Sequence, residues 1–122
     1  MRNFREYANW QKAIDFCVDV YKMTESFPKK ETYALSDQLQ RAAVSIPSNI
    51  AEGSSRKSQL EFAHFLEISL GSSFEVETQL LIAQKIGYIS EEKYEEMFSK
   101  VDEIEKITNA IITKIREQQT NS

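Results

Sequence analysis

Glu61-Phe62-Ala63-His64 is a Glu-x-x-His element, the unit from which di-iron helical bundles are built. A di-iron site takes two such elements and two further inward carboxylates, and this chain has one histidine. The competing reading is an exposed i,i+3 Glu–His pair on a solvated face shared with Glu67. Cys17 is the sole cysteine, so it cannot form an intramolecular disulfide and falls short of a cysteine-based metal site. It sits in an apolar helical seam, where a free thiol behaves as a small hydrophobe. No Ser/His/Asp arrangement, phosphate-binding glycine loop or dinucleotide turn is present. The expectation is therefore no catalytic residue, no metal ligand and no cofactor.

The unusual stretch is Arg41 to Lys57. Gln38, Arg41, Ser45, Asn49 and Glu52 follow one another at three or four residues, a polar stripe beside an apolar seam. One reading is the solvated face of an amphipathic helix. The other is a packed polar contact between helices or subunits, because most of the stripe is short and hydrogen-bonding rather than rich in Lys and Glu. Arg41 and Glu52 are too far apart to pair on one helix, so each needs another partner. The turn that follows, Ser54-Ser55-Arg56-Lys57-Ser58, offers hydroxyls, two cations and the positive end of the next helix. That is a candidate anion or RNA contact; a polar turn with two solvated bases is the alternative.

These residues must be positioned by helices. The chain has 122 residues, one domain's worth, and only 3 Gly and 2 Pro, too few for the turns of an all-β fold. Charge is uneven: residues 1–60 carry 9 basic and 7 acidic side chains, residues 61–122 carry 6 and 12, giving −4 in total. Phosphate binding would have to come from a local patch in the first half. The N-terminus has no signal-peptide pattern and no apolar run approaches a membrane span, so a cytoplasmic protein with no membrane partner is expected.

Apolar spacing of three and four predicts four helices, at about 4–26, 33–52, 58–86 and 90–118. In the first, Tyr7, Trp10, Ile14, Cys17, Tyr21 and Thr24 form the seam, and Phe27-Pro28 ends it. In the second, Leu35, Leu39, Ala42, Ala43, Ile46 and Ile50 face inward. Pro47 lies inside it and predicts a kink near Ala43–Pro47, with a full break as the alternative. Ser45 and Ser48 could serve the freed backbone groups, and Gly53 would end the helix. The third opens on a Ser58–Glu61 capping box, is apolar over more than one stripe, and carries Gly71 between small neighbours, as if another helix approached there. Gly87 ends it. Ser90 caps the fourth, whose seam is Tyr94, Met97, Val101, Ile104, Thr108, Ile111 and Ile115, and residues 119–122 should fray. Short turns between long helices require an all-α, up-down-up-down antiparallel four-helix bundle with a kinked second helix.

Arg41-Ala42-Ala43-Val44-Ser45-Ile46-Pro47-Ser48-Asn49-Ile50-Ala51-Glu52-Gly53 resembles the signature of the four-helix-bundle proteins encoded in 23S rRNA intervening sequences, often labelled ribosomal-protein-like. Trp10 with Ala13, Phe27-Pro28 with Glu31, Leu35 with Gln38, Gly71-Ser72 with Glu75, and Gly87-Tyr88 extend the match over nearly the whole chain. The resemblance implies a left-handed bundle assembled as a ring, a homopentamer. The architecture is also similar to the accessory proteins of diversity-generating retroelements, which bind a reverse transcriptase and nucleic acid. The implied function is a non-enzymatic oligomeric interaction protein, RNA- or ribonucleoprotein-associated in one version and a purely structural scaffold in the other. Broad apolar surface on the third helix, with Phe4, Val18 and Val20 off the seam of the first, independently favours an oligomer.

Overall fold

The computed structural model describes residues 2–120. Four long helices hold most of them: α1 (Ala8–Thr24), α2 (Leu35–Ser54), α3 (Gln59–Lys85) and α4 (Glu91–Thr120). Single 3-10 turns at Phe4–Glu6 and Lys29–Glu31 precede α1 and α2, and no strand occurs among the described residues. The first helix thus starts later than its apolar pattern suggests. Tyr7 is extended (φ −76°, ψ 127°) and separates the opening turn from α1. The last two residues of the tail expected to fray lie outside the described residues.

The ends are set by local chemistry. The Ser58 hydroxyl accepts from the Glu61 amide at 3.1 Å and donates to the Glu61 carboxylate at 3.3 Å, so Ser58 caps α3, but the carboxylate meets that hydroxyl rather than the Ser58 amide that a reciprocal capping box uses. The Ser90 hydroxyl accepts from the Lys93 amide at 3.0 Å, with Glu91 and Glu92 in the first turn of α4. Gly87 has φ 89°, and the amides of Gly87 and Tyr88 return to the carbonyls of Gln84 and Ala83, a Schellman closure of α3. Glu31 caps α2: one carboxylate oxygen accepts from the Leu35 amide at 3.3 Å, the other from the Tyr88 hydroxyl at 2.7 Å. The tyrosine bond first, and the amide second, hold the Glu31 carboxyl below its ordinary range. The Phe27 ring lies 5.3 Å from that of Tyr88, so one small cluster ties the first turn to the third.

Consecutive helices run in opposite directions. Cys17 and Thr24 of α1 meet Ala43 and Gln40 of α2. Ser45 and Gly53 of α2 meet Ser72 and Phe65 of α3. Glu67 of α3 meets Arg116 near the far end of α4. The ring of contacts closes between α1 and α4, where Asn9 reaches Thr108 and Lys12 and Asp19 reach Glu103 and Lys100. The backbones of α1 and α3 stay apart, on opposite sides of the shared core. The core contains Phe16, Leu39, Ile46, Ile50, Leu66, Leu80, Met97 and Ile104, all fully buried. The seam expected on α4 is largely the observed one. That on α1 is rotated: Asn9, Ala13, Phe16, Val20 and Met23 face the core, while Ile14, Val18 and Tyr21 face out. Asn9 is completely buried because its amide donates to the Thr108 hydroxyl at 3.0 Å, which leaves no orphan polar group.

The second helix is continuous through Pro47, which removes the possibility of a break. Proline has no amide to give the Ala43 carbonyl. The Cys17 thiol supplies the donor instead, at 3.0 Å. Ser45 and Ser48, expected to do this, do not: Ser45 turns to α3 and Ser48 is exposed. Burial pushes the Cys17 thiol up to about 11, so it keeps its proton at neutral pH and remains a donor. Cys17→Ala should therefore cost about 1–2 kcal/mol in urea unfolding. The loss should shrink in a Pro47→Ala background, where residue 47 regains an amide for Ala43. Equal losses in both backgrounds would show that the thiol does not serve that carbonyl.

Candidate functional site

The polar stripe divides into two parts. Ser45 and Asn49 are half-buried: the Ser45 hydroxyl meets that of Ser72 on α3 at 2.8 Å, and the Asn49 amide donates back to the Ser45 hydroxyl at 2.9 Å and carbonyl at 2.8 Å. One turn away, Ser69 donates to the Ile46 carbonyl at 2.9 Å. These bonds let α2 and α3 approach through small side chains. The two helices are close at Gly53, where an added Cβ would lie 2.5 Å from the Phe65 Cβ and 3.1 Å from the Phe62 ring. Gly53 is thus inside α2, which extends to Ser54, and is needed for contact rather than for ending the helix. Gln38, Arg41 and Glu52 are exposed instead. Arg41 pairs with Asp37 at 2.9 Å, and Glu52 pairs with Arg56, so both partners come from the neighbouring helical turn.

At the turn after α2 the serines are not free donors. Ser54 gives its proton to the Ala51 carbonyl and Ser55 to the Glu52 carbonyl, each at 2.7 Å. Arg56 lies over the Phe65 ring, 4.6 Å from its centre. Lys57 is exposed. The N-terminal residues, which spacing alone did not connect to this turn, complete the patch. Arg2 donates to the carbonyls of Ser54 (3.0 Å) and Arg56 and lies 4.9 Å from the centre of the Phe62 ring. Arg2, Arg5, Arg56 and Lys57 thereby border one open cleft of about 880 Å³ that Phe4 and Tyr7 also line, with Glu6 as its acidic member.

A second cleft is apolar. Between α1 and α2 runs an open groove of about 540 Å³ lined by Trp10, Ile14, Val18, Tyr21, Val44 and Ala51, with Cys17 and Pro47 at its floor. Its existence follows from the rotation of α1, which leaves Val18 48% and Tyr21 47% exposed. Apart from Tyr33 in the first turn, the other outward large apolar residues lie on the third helix and its C-cap: Leu60, Ile68, Ile82 and Ile86 along one side, Phe74 and Leu81 along another. Gly71 lies among them, and a Cβ there would meet nothing, so no helix of this chain approaches it. The sequence signal for this was present in the all-round apolarity of residues 60–86.

His64 is exposed and Glu61 is engaged in the cap, which places them apart from any enclosed site. Among the described residues no group of three His, Cys, Asp or Glu side chains is placed to share a metal ion. No helix among them is long and apolar enough to cross a membrane.

Fold and surfaces together define a class: an all-α protein of four long helices with a small-residue α2–α3 seam and apolar surface left outside. The chain belongs to the 23S rRNA-intervening sequence protein family, whose description matches residues 5–110. It is similar to a crystal structure from Bacteroides thetaiotaomicron, of a protein with unknown function from the S23 ribosomal protein family. The two share 29% identity over 86% of this chain and 98% of the other, with a TM-score of 0.78. Among curated proteins nothing matches.

Proposed function

We propose that this protein is a non-enzymatic interaction protein that assembles from identical copies, the outer row of α3 on one protomer filling the α1–α2 groove of the next. The supporting observation is the pair of separate outward apolar surfaces. One is a groove between α1 and α2 and the other is a ridge of outward residues on α3, and both stay open in the single chain. A single chain cannot cover either with the other; two chains can. Contact between unlike surfaces is heterologous, and it closes into a ring when the rotation allows. Five is the number that the resemblance at Arg41–Gly53 implies. Gly71, bare among Ile68, Glu75 and Ile82, then serves the approach of the neighbour's helix rather than of its own. The unpaired thiol of Cys17 fits a reducing cytoplasm.

Trp10, the sole tryptophan, lines the groove and reports its occupancy. Iodide should quench it weakly in the wild-type protein and strongly in Ile82→Asp, whose own groove is intact but whose ridge is spoiled. Equal quenching in the two would count against the reading.

A second reading concerns the basic end, because Arg2 and Arg5 join Arg56 and Lys57 around one cleft. RNA is the polyanion that this end suits in an otherwise acidic chain. Arg5→Ala/Lys57→Ala spares Arg2, which holds the carbonyls of the turn, and Arg56, which pairs with Glu52 and covers Phe65. It should weaken binding of a labelled single-stranded RNA and lower the slope of log K against log salt by about 1–1.5. No binding at low salt, or an unchanged slope, would leave the self-assembling scaffold alone.

A further inference from the structure

Glu105 is the one acidic residue of the described chain that is buried with the core. It occupies the inward register of α4, between Val101 and Thr108, and faces α3. It stands opposite Ser73, itself buried, and half-buried Glu77. One carboxyl oxygen is buried with no hydrogen-bond partner. A carboxylate in this position would have the Ser73 hydroxyl beside it but no cation, in a largely apolar seam with a second carboxylate next to it.

No cation relieves it. Asp102, one turn back on α4, also acts on Glu105 and is also acidic; its own partner is Lys106, at 3.0 Å. Two basic groups at the α1–α4 contact are taken up elsewhere. Lys12 of α1 pairs with Glu103, and Lys100 pairs with Asp19 of α1. On the α3 side the ion pair is Glu67 with Arg116, further along the helix. The groups facing Glu105 are therefore all acidic or neutral.

We propose that Glu105 and Glu77 share one proton across the α3–α4 seam, Glu105 donating to the Glu77 carboxylate, and that loss of this proton to solvent base loosens α3 from α4. The pair makes the seam a pH-sensitive latch. Burial, and then the Glu77 carboxylate, push the Glu105 carboxyl up to about 8, which places the change within reach of ordinary alkaline shifts. Removing the proton sets two like charges side by side in a site with no countercharge, where their repulsion is poorly screened.

The sign of the linkage is fixed. The folded chain holds the Glu105 proton between the usual carboxylate range and about 8, while the unfolded chain has released it. Over that window the unfolded state binds one proton fewer, so stability falls as pH rises, by about tenfold in the unfolding constant per pH unit. Above the window the dependence on this group ends.

Urea unfolding of the full chain from pH 5 to 9.5, at one protein concentration, tests the proposal. The wild type should show that loss, and Glu105→Gln should lack it, gaining over the wild type as pH rises. Carbon-13 spectra of glutamate-labelled wild-type protein test the same point without any substitution. One carboxyl should titrate far above the others, and that signal should vanish in Glu105→Gln. Glu77→Gln should move the titration downwards. Parallel stability profiles in wild type and Glu105→Gln, or glutamates that all titrate in the ordinary range, would overturn the proposal.

Discussion

Gly53→Ala is expected to destabilise the protein by about 1–3 kcal/mol, although alanine is the better helix former. In an open helix interior the exchange would gain about 1 kcal/mol. At position 53 the new methyl would stand 2.5 Å from the Phe65 Cβ and 3.3 Å from the Phe62 carbonyl oxygen. Phe62 is buried and a backbone oxygen cannot swing aside, so α2 and α3 must move apart. That separation would also stretch the contacts of Ser45 with Ser72 and Ser69 with Ile46, which lie in the same seam. The steric loss therefore exceeds the propensity gain. Gly53→Leu should cost more still, beyond about 3 kcal/mol. Denaturant midpoints at a fixed protein concentration would check both, since assembly links stability to concentration. Gly71→Ala is the counterpart: space is open there, so any loss should appear in assembled mass and not in folding. A stabilised Gly53→Ala would mean that the two helices are not in the close contact described.

The second large effect is on assembly. Val18→Asp places a charge in the α1–α2 groove, and Ile82→Asp places one on the α3 ridge; both positions are nearly half exposed in the single chain. Neither touches the core, so each variant should fold. Each should also lose the assembled state, because burying an unpaired carboxylate in an apolar contact costs several kcal/mol. Mixing them separates the possible geometries. Each variant retains one good surface, so a head-to-tail contact predicts a dimer of unlike variants that grows no further. A contact between like surfaces predicts no rescue at all. Gel filtration of the separate and mixed variants would distinguish these results.

Much of the fold was legible because its signals are local and repeated. The seam of α4, the Ser58 and Ser90 caps and the glycine end of α3 each follow from residues within one or two turns. The face of α1 was not. Its apolar residues cover two sides, and the seam drawn through Trp10, Ile14 and Tyr21 is the one that faces the groove. Buried Asn9 marks the inner face instead, and a buried asparagine is visible only once Thr108 is known to lie opposite, on the far side of the sequence. The same distance hid the partner of the Ala43 carbonyl. Pro47 announces that this carbonyl lacks an amide, but only the folded chain brings Cys17 to it. Of the candidate site, the division of the stripe was half legible. Short side chains at 45 and 49 signalled close packing, while the pairing of Arg41 with Asp37 and of Glu52 with Arg56 follows from i,i+4 spacing, the second pair reaching from the end of α2 into the turn after it. Arg2 and Arg5 join the basic turn only through the return of α2 to the N-terminal end.

Native mass spectrometry of the full chain tests the central claim most directly, because it counts subunits without any substitution. The account predicts a closed assembly of five times the 14.1 kDa chain mass. A single chain at every concentration would contradict it, and would leave the α1–α2 groove and the α3 ridge without the occupant proposed for them.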